Sequence, residues 1–308
     1  MKNESLHPKI TSKLMDLLHQ LYVSTLILTS TGQGIVGFII AVSSIILAIA
    51  APLFPYPGPK MCNPSLVFIL PSLKPSPWYI LGSDYLGAPL VLDLIWGLRY
   101  FLYIGVIAGI IQVSIGVFLG LLAGYVGGII DNALNFVFNI LLTMPTFALW
   151  LILAIIFRTS SPIILGFMLG IFSWAGLARS VRAAALSAKN RDYVEASKLL
   201  GLSSLSIIIY DIMPSITPYI VMNFLLSIVS GFYGAMGLAF LGLVPYTNIN
   251  WGAILGNAFS YEAAVLSPIG TIPIMILITI ETIILLGFVY LANASVNVFD
   301  PKRRREVE

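Results

Sequence analysis

Charge is what this 308-residue chain has least of: Asp, Glu, Lys and Arg make up 9% of it, against roughly 25% in a soluble domain. A water-exposed globule of this length would run short of surface residues, so the composition excludes one and implies lipid contact. The single cysteine, Cys62, excludes an internal disulfide and a cysteine-rich metal site. The two histidines, His7 and His19, are too few and too isolated in an N-terminal arm to form a histidine-rich metal centre. No G-x-x-x-x-G-K-[ST] occurs, so the chain has no phosphate-cradling loop of its own. Its serines lack a G-x-S-x-G setting, which leaves covalent hydrolysis without support.

What is present is a series of long uncharged runs. Histidine aside, no charge falls in Leu17 to Pro59, Tyr100 to Ile130, Asn132 to Phe157, Thr159 to Ala178, Ile212 to Tyr261, Ala263 to Ile280 or Thr282 to Phe299. Several exceed the ~20 residues that one helix needs to cross a bilayer. The first run is too long and too late for a cleaved signal and reads as a retained helix. The sequence predicts an all-α polytopic membrane protein with six transmembrane helices: Gly34 to Leu53, Tyr100 to Tyr125, Leu134 to Phe157, Ile163 to Leu177, Ile207 to Ile228 and Pro268 to Val289. Prolines 52, 55, 57 and 59 end the first span. Ala235 to Leu243 is expected to be a short or re-entrant helix. Residues 1–33 form an N-terminal arm with Leu14, Leu17, Leu18 and Leu21 on one stripe. Residues 34–294 form the membrane domain, with a loop or small subdomain over 55–98, and 295–308 are a tail.

An even number of crossings puts both termini on one side. With the termini in the cytoplasm, inner segments hold Lys2, Lys9, Lys13, Arg179, Arg182, Lys189, Arg191, Lys198, Lys302, Arg303, Arg304 and Arg305. Lys60, Lys74, Arg99 and Arg158 remain outside, as the positive-inside rule requires. The chain is therefore expected in the cell membrane, N-in and C-in, with residues 180–205 in the cytoplasm. That segment reads RSVRAAALSAKNRDYVEASKLLGLSS and is rich in helix formers. Tyr193, Ala196, Leu199 and Leu200 make an apolar face, and Gly201 ends the helix by taking positive φ. Two readings stand: the face packs on a partner protein, or the helices cap their own bundle.

YVEASKLLG at Tyr193 to Gly201 and the following IIIYDIMPSITP resemble the cytoplasmic loop of ABC importer membrane subunits in the dipeptide and oligopeptide permease group, C-type. Glu195, Ala196, Gly201 and Pro214 match its pattern. LGSDYLG at Leu81 to Gly87 with Trp96, Gly97 and Arg99 agrees in order, as do AFLGL at Ala239 to Leu243, Trp251-Gly252 and FDPKRR at Phe299 to Arg304. The family has Arg-Asp where this chain has Ala88 and Pro89, and a glutamate where it has Ala235. The resemblance includes archaeal members that import sugars.

The resemblance implies a type I ABC importer permease fold in which 180–205 carries a coupling helix. Tyr193, Glu195, Ala196, Leu199 and Gly201 would couple the chain to separate ATPases, which bind ATP and Mg; this chain would hold no cofactor and catalyse nothing itself. Expected partners are a second homologous permease, two ATP-binding subunits, an extracellular solute-binding protein and membrane lipid, with a peptide or oligosaccharide as cargo and no nucleic acid. Glu195 either pairs with a partner's basic residue or caps a backbone turn. Polar groups inside spans are costly to expose to lipid, which makes Asn223 and Glu281 candidates for the translocation path. For Glu281 a contact with the partner permease and a protonated helix contact are the alternatives. Arg99 reads as a membrane-border or subunit-contact residue. Gly116, Gly120 and Gly124 form a small-residue stripe suited to close helix packing. A secondary solute transporter and a noncatalytic membrane scaffold are the competing functions; no internal repeat favours the first.

Overall fold

The computed structural model describes residues 24–57, 61–62, 64–67, 77–245, 250–260 and 268–299. The predicted arm stripe, His7, His19, Lys60, Lys74 and residues 300–308 lie outside them. Helix dominates, and among the described residues there is no β-strand, only a bridge between Ser83 and Pro89.

Helix α1, Gly32–Ala50, starts where Thr31 Oγ1 accepts the Gly34 amide at 3.1 Å, and ends in a 3-10 turn at Pro52. Helix α2, Leu90–Val126, is 37 residues long and begins ten residues before the expected span, behind Pro89. At 1.5 Å per residue it runs ~55 Å, well beyond a ~30 Å hydrocarbon core, so part of it stands outside the membrane. Gly127 and Gly128, at φ +76 and +61, turn the chain into α3, Gly128–Thr143.

The two central spans depart from the straight helices expected. Helix α3 meets α4, Thr146–Phe157, at a 79° bend. The cause is Pro145, which forces Met144 to extended backbone, with ψ 134. Helix α5, Pro162–Gly170, meets α6, Trp174–Lys189, at 49°. Helix α6 does not stop at Leu177 but continues as one rod into the charged segment. Among the described residues, four unbroken helices are long and apolar enough to cross a membrane, and six spans result if each bent pair is one.

Helix α7 is Asp192–Leu199. Helix α8, Ser204–Phe240, contains a π-helical turn at Ile208–Ile212. Pro214 follows it and Pro218 sits inside the helix; prolines lack the amide that an α-helical ladder needs. The expected re-entrant helix at Ala235 to Leu243 is instead the end of α8, closed at Gly242 with φ +73. Helix α9 is Trp251–Ser260, and α10 is Pro268–Ser295 with Pro273 inside.

Helix α2 is the axis of the bundle, with α1, α5, α6 and α8 packed around it. At the end where α2 begins, hereafter the loop end, Trp251 is fully buried and donates Nε1–H to the Asp93 carbonyl at 2.8 Å. Its ring packs on Phe101 and Phe232 and leaves no room for a side chain at Gly97. That contact sets the glycine of the Trp96-Gly97 pair against the tryptophan of the Trp251-Gly252 pair. The loop before α2 is tied by Asp84, whose Oδ1 accepts the Leu86 and Ala88 amides at 2.9 and 2.7 Å. Burial pushes the Asp84 carboxyl up to about 6, against the opposing pull of those amides.

Candidate coupling surface and membrane cavity

Helix α7 is short, and its ends are well defined. Asp192 and Glu195 stand in its first turn and Lys198 in its last, so its charges complement the helix dipole. At the C-terminus the Gly201 amide donates to Lys198 O at 3.0 Å and the Leu202 amide to Ser197 O at 3.2 Å. This is the paired closure of a Schellman motif. Gly201 occupies its left-handed position at φ +77.

The faces of α7 divide the two readings between them. Val194, which sequence periodicity did not single out, is fully buried and packs with Val181, Ala185, Ile207 and Ile212. Leu199 and Leu200 are 85% and 80% exposed, and Tyr193, Leu202 and Leu205 are exposed as well. One valine thus anchors the helix to its own bundle while the leucines are left uncovered. They stand among Arg191, Asp192, Glu195 and Lys198, a charge density that hydrocarbon does not accommodate. Glu195 is exposed and its carboxylate has no hydrogen bond or ion pair among the described residues, so the capping role is not taken up here. Ala196 is exposed beside it.

The anchor leads to a rigid mount. A Cβ on Gly120 would lie 2.6 Å from the Ala178 carbonyl and one on Gly124 2.5 Å from the Arg182 carbonyl; on Gly116 it would press Leu177 at 3.1 Å. The stripe therefore lets α2 and α6 touch backbone to backbone along the half of α2 nearest α7. Lys189 Nζ, at the end of α6, donates to the Tyr125 carbonyl at 2.6 Å and thereby satisfies a free C-terminal acceptor of α2. A polar seam joins α6 to α3. Arg182 grips Asp131 with two nitrogens, Nη2 reaching Oδ2 at 2.6 Å, and Asn135 donates to the same carboxylate at 2.8 Å. Arg179 Nη2 adds a bond to Asn139 Oδ1 at 2.9 Å. Sequence spacing gave no sign of this seam, because its partners lie 51 and 40 positions apart.

In the membrane region a cavity of about 250 Å³ opens where both bent spans break. Gln112, Thr146, Trp150, Ser173 and Ser230 contribute to its lining. Thr146 opens α4 and Ser173 immediately precedes α6, so two helix N-termini meet at one uncharged, polar space. Irregular backbone at membrane depth is tolerated where it is buried in protein or lines such a cavity. Neither predicted path residue lines it. Asn223, on α8, donates to the Tyr219 carbonyl of its own helix at 2.9 Å. Glu281, on α10, is 6% exposed and makes no hydrogen bond or ion pair among the described residues. The signal for the cavity was Pro145 within an uncharged run, a break that sequence reading passed over.

Comparisons with known proteins agree with this architecture. A sequence model of the family described as "Binding-protein-dependent transport system inner membrane component" matches residues 116–305. The dipeptide transport system permease protein DppC of Lactococcus lactis subsp. cremoris is 28% identical over 73% of this chain and 64% of its own length. The oligopeptide transport system permease protein OppC of Bacillus subtilis is 27% identical over 90% of this chain and 88% of its own. OppC of Salmonella typhimurium is 36% identical over 57% and 58%. The chain spans 64% of the length of the first relatives it matches, from Lactococcus and Mycobacterium. With the family model covering well over half of its residues, this multi-pass membrane chain belongs to the binding-protein-dependent transport system inner membrane components.

Proposed function

We propose that this chain is the permease subunit of an ATP-driven ABC importer, forming half of a translocation path whose other half is a homologous permease. The observation that carries the reading is the exposed leucine pair of α7, held by Val194 on a rod that three glycines fix to α2. A rigid helix passes displacement from a docked partner into the bundle, where a floppy loop would absorb it. Tyr193, Glu195, Ala196, Leu199 and Gly201 form the docking and coupling surface for two separate ATP-binding subunits, which hold ATP and Mg; this chain holds no cofactor and has no ATPase site of its own. Glu195, without a partner among the described residues, is left to pair with a basic residue of the ATPase.

Residues 34–294 are the permease domain, 55–98 the extracellular loop, 180–205 the cytoplasmic coupling loop, 1–33 a cytoplasmic or interfacial arm and 295–308 a cytoplasmic tail. An extracellular solute-binding protein delivers cargo to the loop end. The names of the relatives favour a peptide over an oligosaccharide. The polar cavity at the two bends, rather than Asn223, is the better candidate for the path, and Glu281, buried inside its own bundle, fits the protonated helix contact better than a contact with the partner permease. A secondary transporter or a noncatalytic scaffold leaves the leucine surface or the family membership without a role.

The test is uptake into vesicles holding this chain alone, or the chain with its partner permease, ATP-binding subunits and the solute-binding protein. Uptake only by the full set, and only with ATP, is expected. Uptake by the chain alone contradicts the reading.

A further inference from the structure

Between α1, α2, α8 and α10 lies an apolar groove of about 190 Å³ that none of the coupling or cavity residues enters. Ile45, Ala48 and Ile49 of α1 line one side, and Arg99, Tyr103 and Val106 of α2 face them. Its polarity is all at one end. Arg99 is the last charged residue before the uncharged stretch that begins at Tyr100, and Ile49 is the penultimate residue of α1. Both therefore mark the membrane border at the loop end. Val106 lies seven residues further along α2, or ~10 Å deeper at helical rise.

Among the described residues Arg99 is held in place without being neutralised. Its guanidinium carbon lies 5.8 Å from the Trp96 ring centroid and 5.3 Å from that of Tyr103. Aromatic contacts of this kind engage a cation without supplying hydrogen-bond acceptors. The five N–H donors on the guanidinium edge have no hydrogen bond or ion pair among the described residues. An unpaired, oriented guanidinium at the border, flanked by a tryptophan and a tyrosine and continued inward by an apolar channel, is complementary to one ligand chemistry. A phosphodiester headgroup accepts bidentate hydrogen bonds from arginine, and an acyl chain beneath it replaces lipid contact along Ile45, Val106 and Phe288.

We propose that this groove binds one membrane phospholipid, with its phosphate on Arg99 and the upper part of an acyl chain between α1 and α2. The bound lipid would fill the space between the first helix and the axis of the bundle. Free phosphate has no use for the apolar channel, and the channel offers a peptide backbone no hydrogen-bond partner beyond Arg99 and the Tyr103 hydroxyl.

The full-length chain, in whatever complex it purifies with, is placed in bilayer discs holding equal amounts of phosphatidylglycerol and phosphatidylcholine, and retained lipid is counted by native mass spectrometry. One retained lipid, with phosphatidylglycerol preferred, is expected. Arg99→Gln should lower retention by about tenfold or more, as loss of charge-assisted hydrogen bonds implies. Ala48→Phe, which fills the groove and leaves Arg99 in place, should lower it as well, while Arg158→Gln leaves it unchanged. Undiminished retention in both groove variants overturns the proposal. So does a photo-crosslinker on Val106→Cys that attaches to a protein chain instead of lipid, which would make the groove a subunit interface. Lipid is counted without measuring transport, so the outcome is independent of the importer reading.

Discussion

At Gly201 the backbone takes φ +77 with nothing within 4 Å of where a Cβ would stand, so the constraint there is conformational rather than steric. A side chain in that region costs about 1 kcal/mol, and the cost falls on the turn that aims α7. Gly201→Ala is expected to leave membrane insertion intact while lowering solute uptake per ATP hydrolysed in reconstituted vesicles; wild-type coupling would show that the turn does not matter. Asp84 gives a pH-dependent prediction. Its carboxyl titrates near 6 in the fold and near 3.9 when unfolded, so the folded chain binds more protons between those values. The contribution of Asp84 to stability is therefore fully present below about pH 4, is lost as pH rises through about 6, and is constant above, with a span of about 3 kcal/mol at most. Asp84→Asn keeps the acceptor for the Leu86 and Ala88 amides and removes the titration. The protection of the 82–90 amides, taken relative to their intrinsic exchange rate at each pH, should fall between pH 4.5 and 7.5 in the wild type and stay level in that variant; an unchanged fall would assign the titration to another group.

Among the elements, α6 carries the most consequence, because it is membrane span and charged rod at once. Gly120 fixes its distance from α2, and Gly120→Leu must push the Ala178 carbonyl aside. Overpacking of this sort costs roughly 1–3 kcal/mol, and the variant is expected to melt earlier in detergent and to uncouple ATP turnover from uptake. Equal melting would mean that the two helices separate without penalty. Uncharged runs and helix formers made the membrane helices and the charged helical segment within 180–205 legible in the sequence. The glycine stripe was legible too, because small residues every fourth position have one geometric use. The bends at Pro145 and at residues 171–173 were not, since apolarity reports how long a buried stretch is and not its direction. Val194 was missed for a related reason: beside Tyr193, Leu199 and Leu200 a lone valine carries little weight, although it alone is buried. The Asp131–Arg182 grip depends on two helices meeting far apart in sequence, which no local pattern encodes. Asp131→Asn should free α3 from α6, read as faster amide exchange in α3, while exchange in α1 and α10 stays the same.

For the whole molecule, a bundle built around α2 joins two surfaces. At the loop end Trp251 and Asp84 fix the segments that precede and follow the spans. At the other end α7 offers exposed leucines on a mount that cannot yield locally. Between them, both bent spans break at one polar cavity, so the least regular backbone lies at the path proposed above for the solute. Movement of α7 would therefore reach the cavity through α6, whose first turn lines it. The central claim is that the leucine surface docks a separate ATPase, and the most direct measurement is recovery of ATP-binding subunits with affinity-tagged chain carrying Leu199→Glu and Leu200→Glu. The account predicts that the wild-type chain brings the ATP-binding subunits down, that the double variant loses them, and that the partner permease stays bound in both. Full recovery of ATP-binding subunits by the double variant would contradict it.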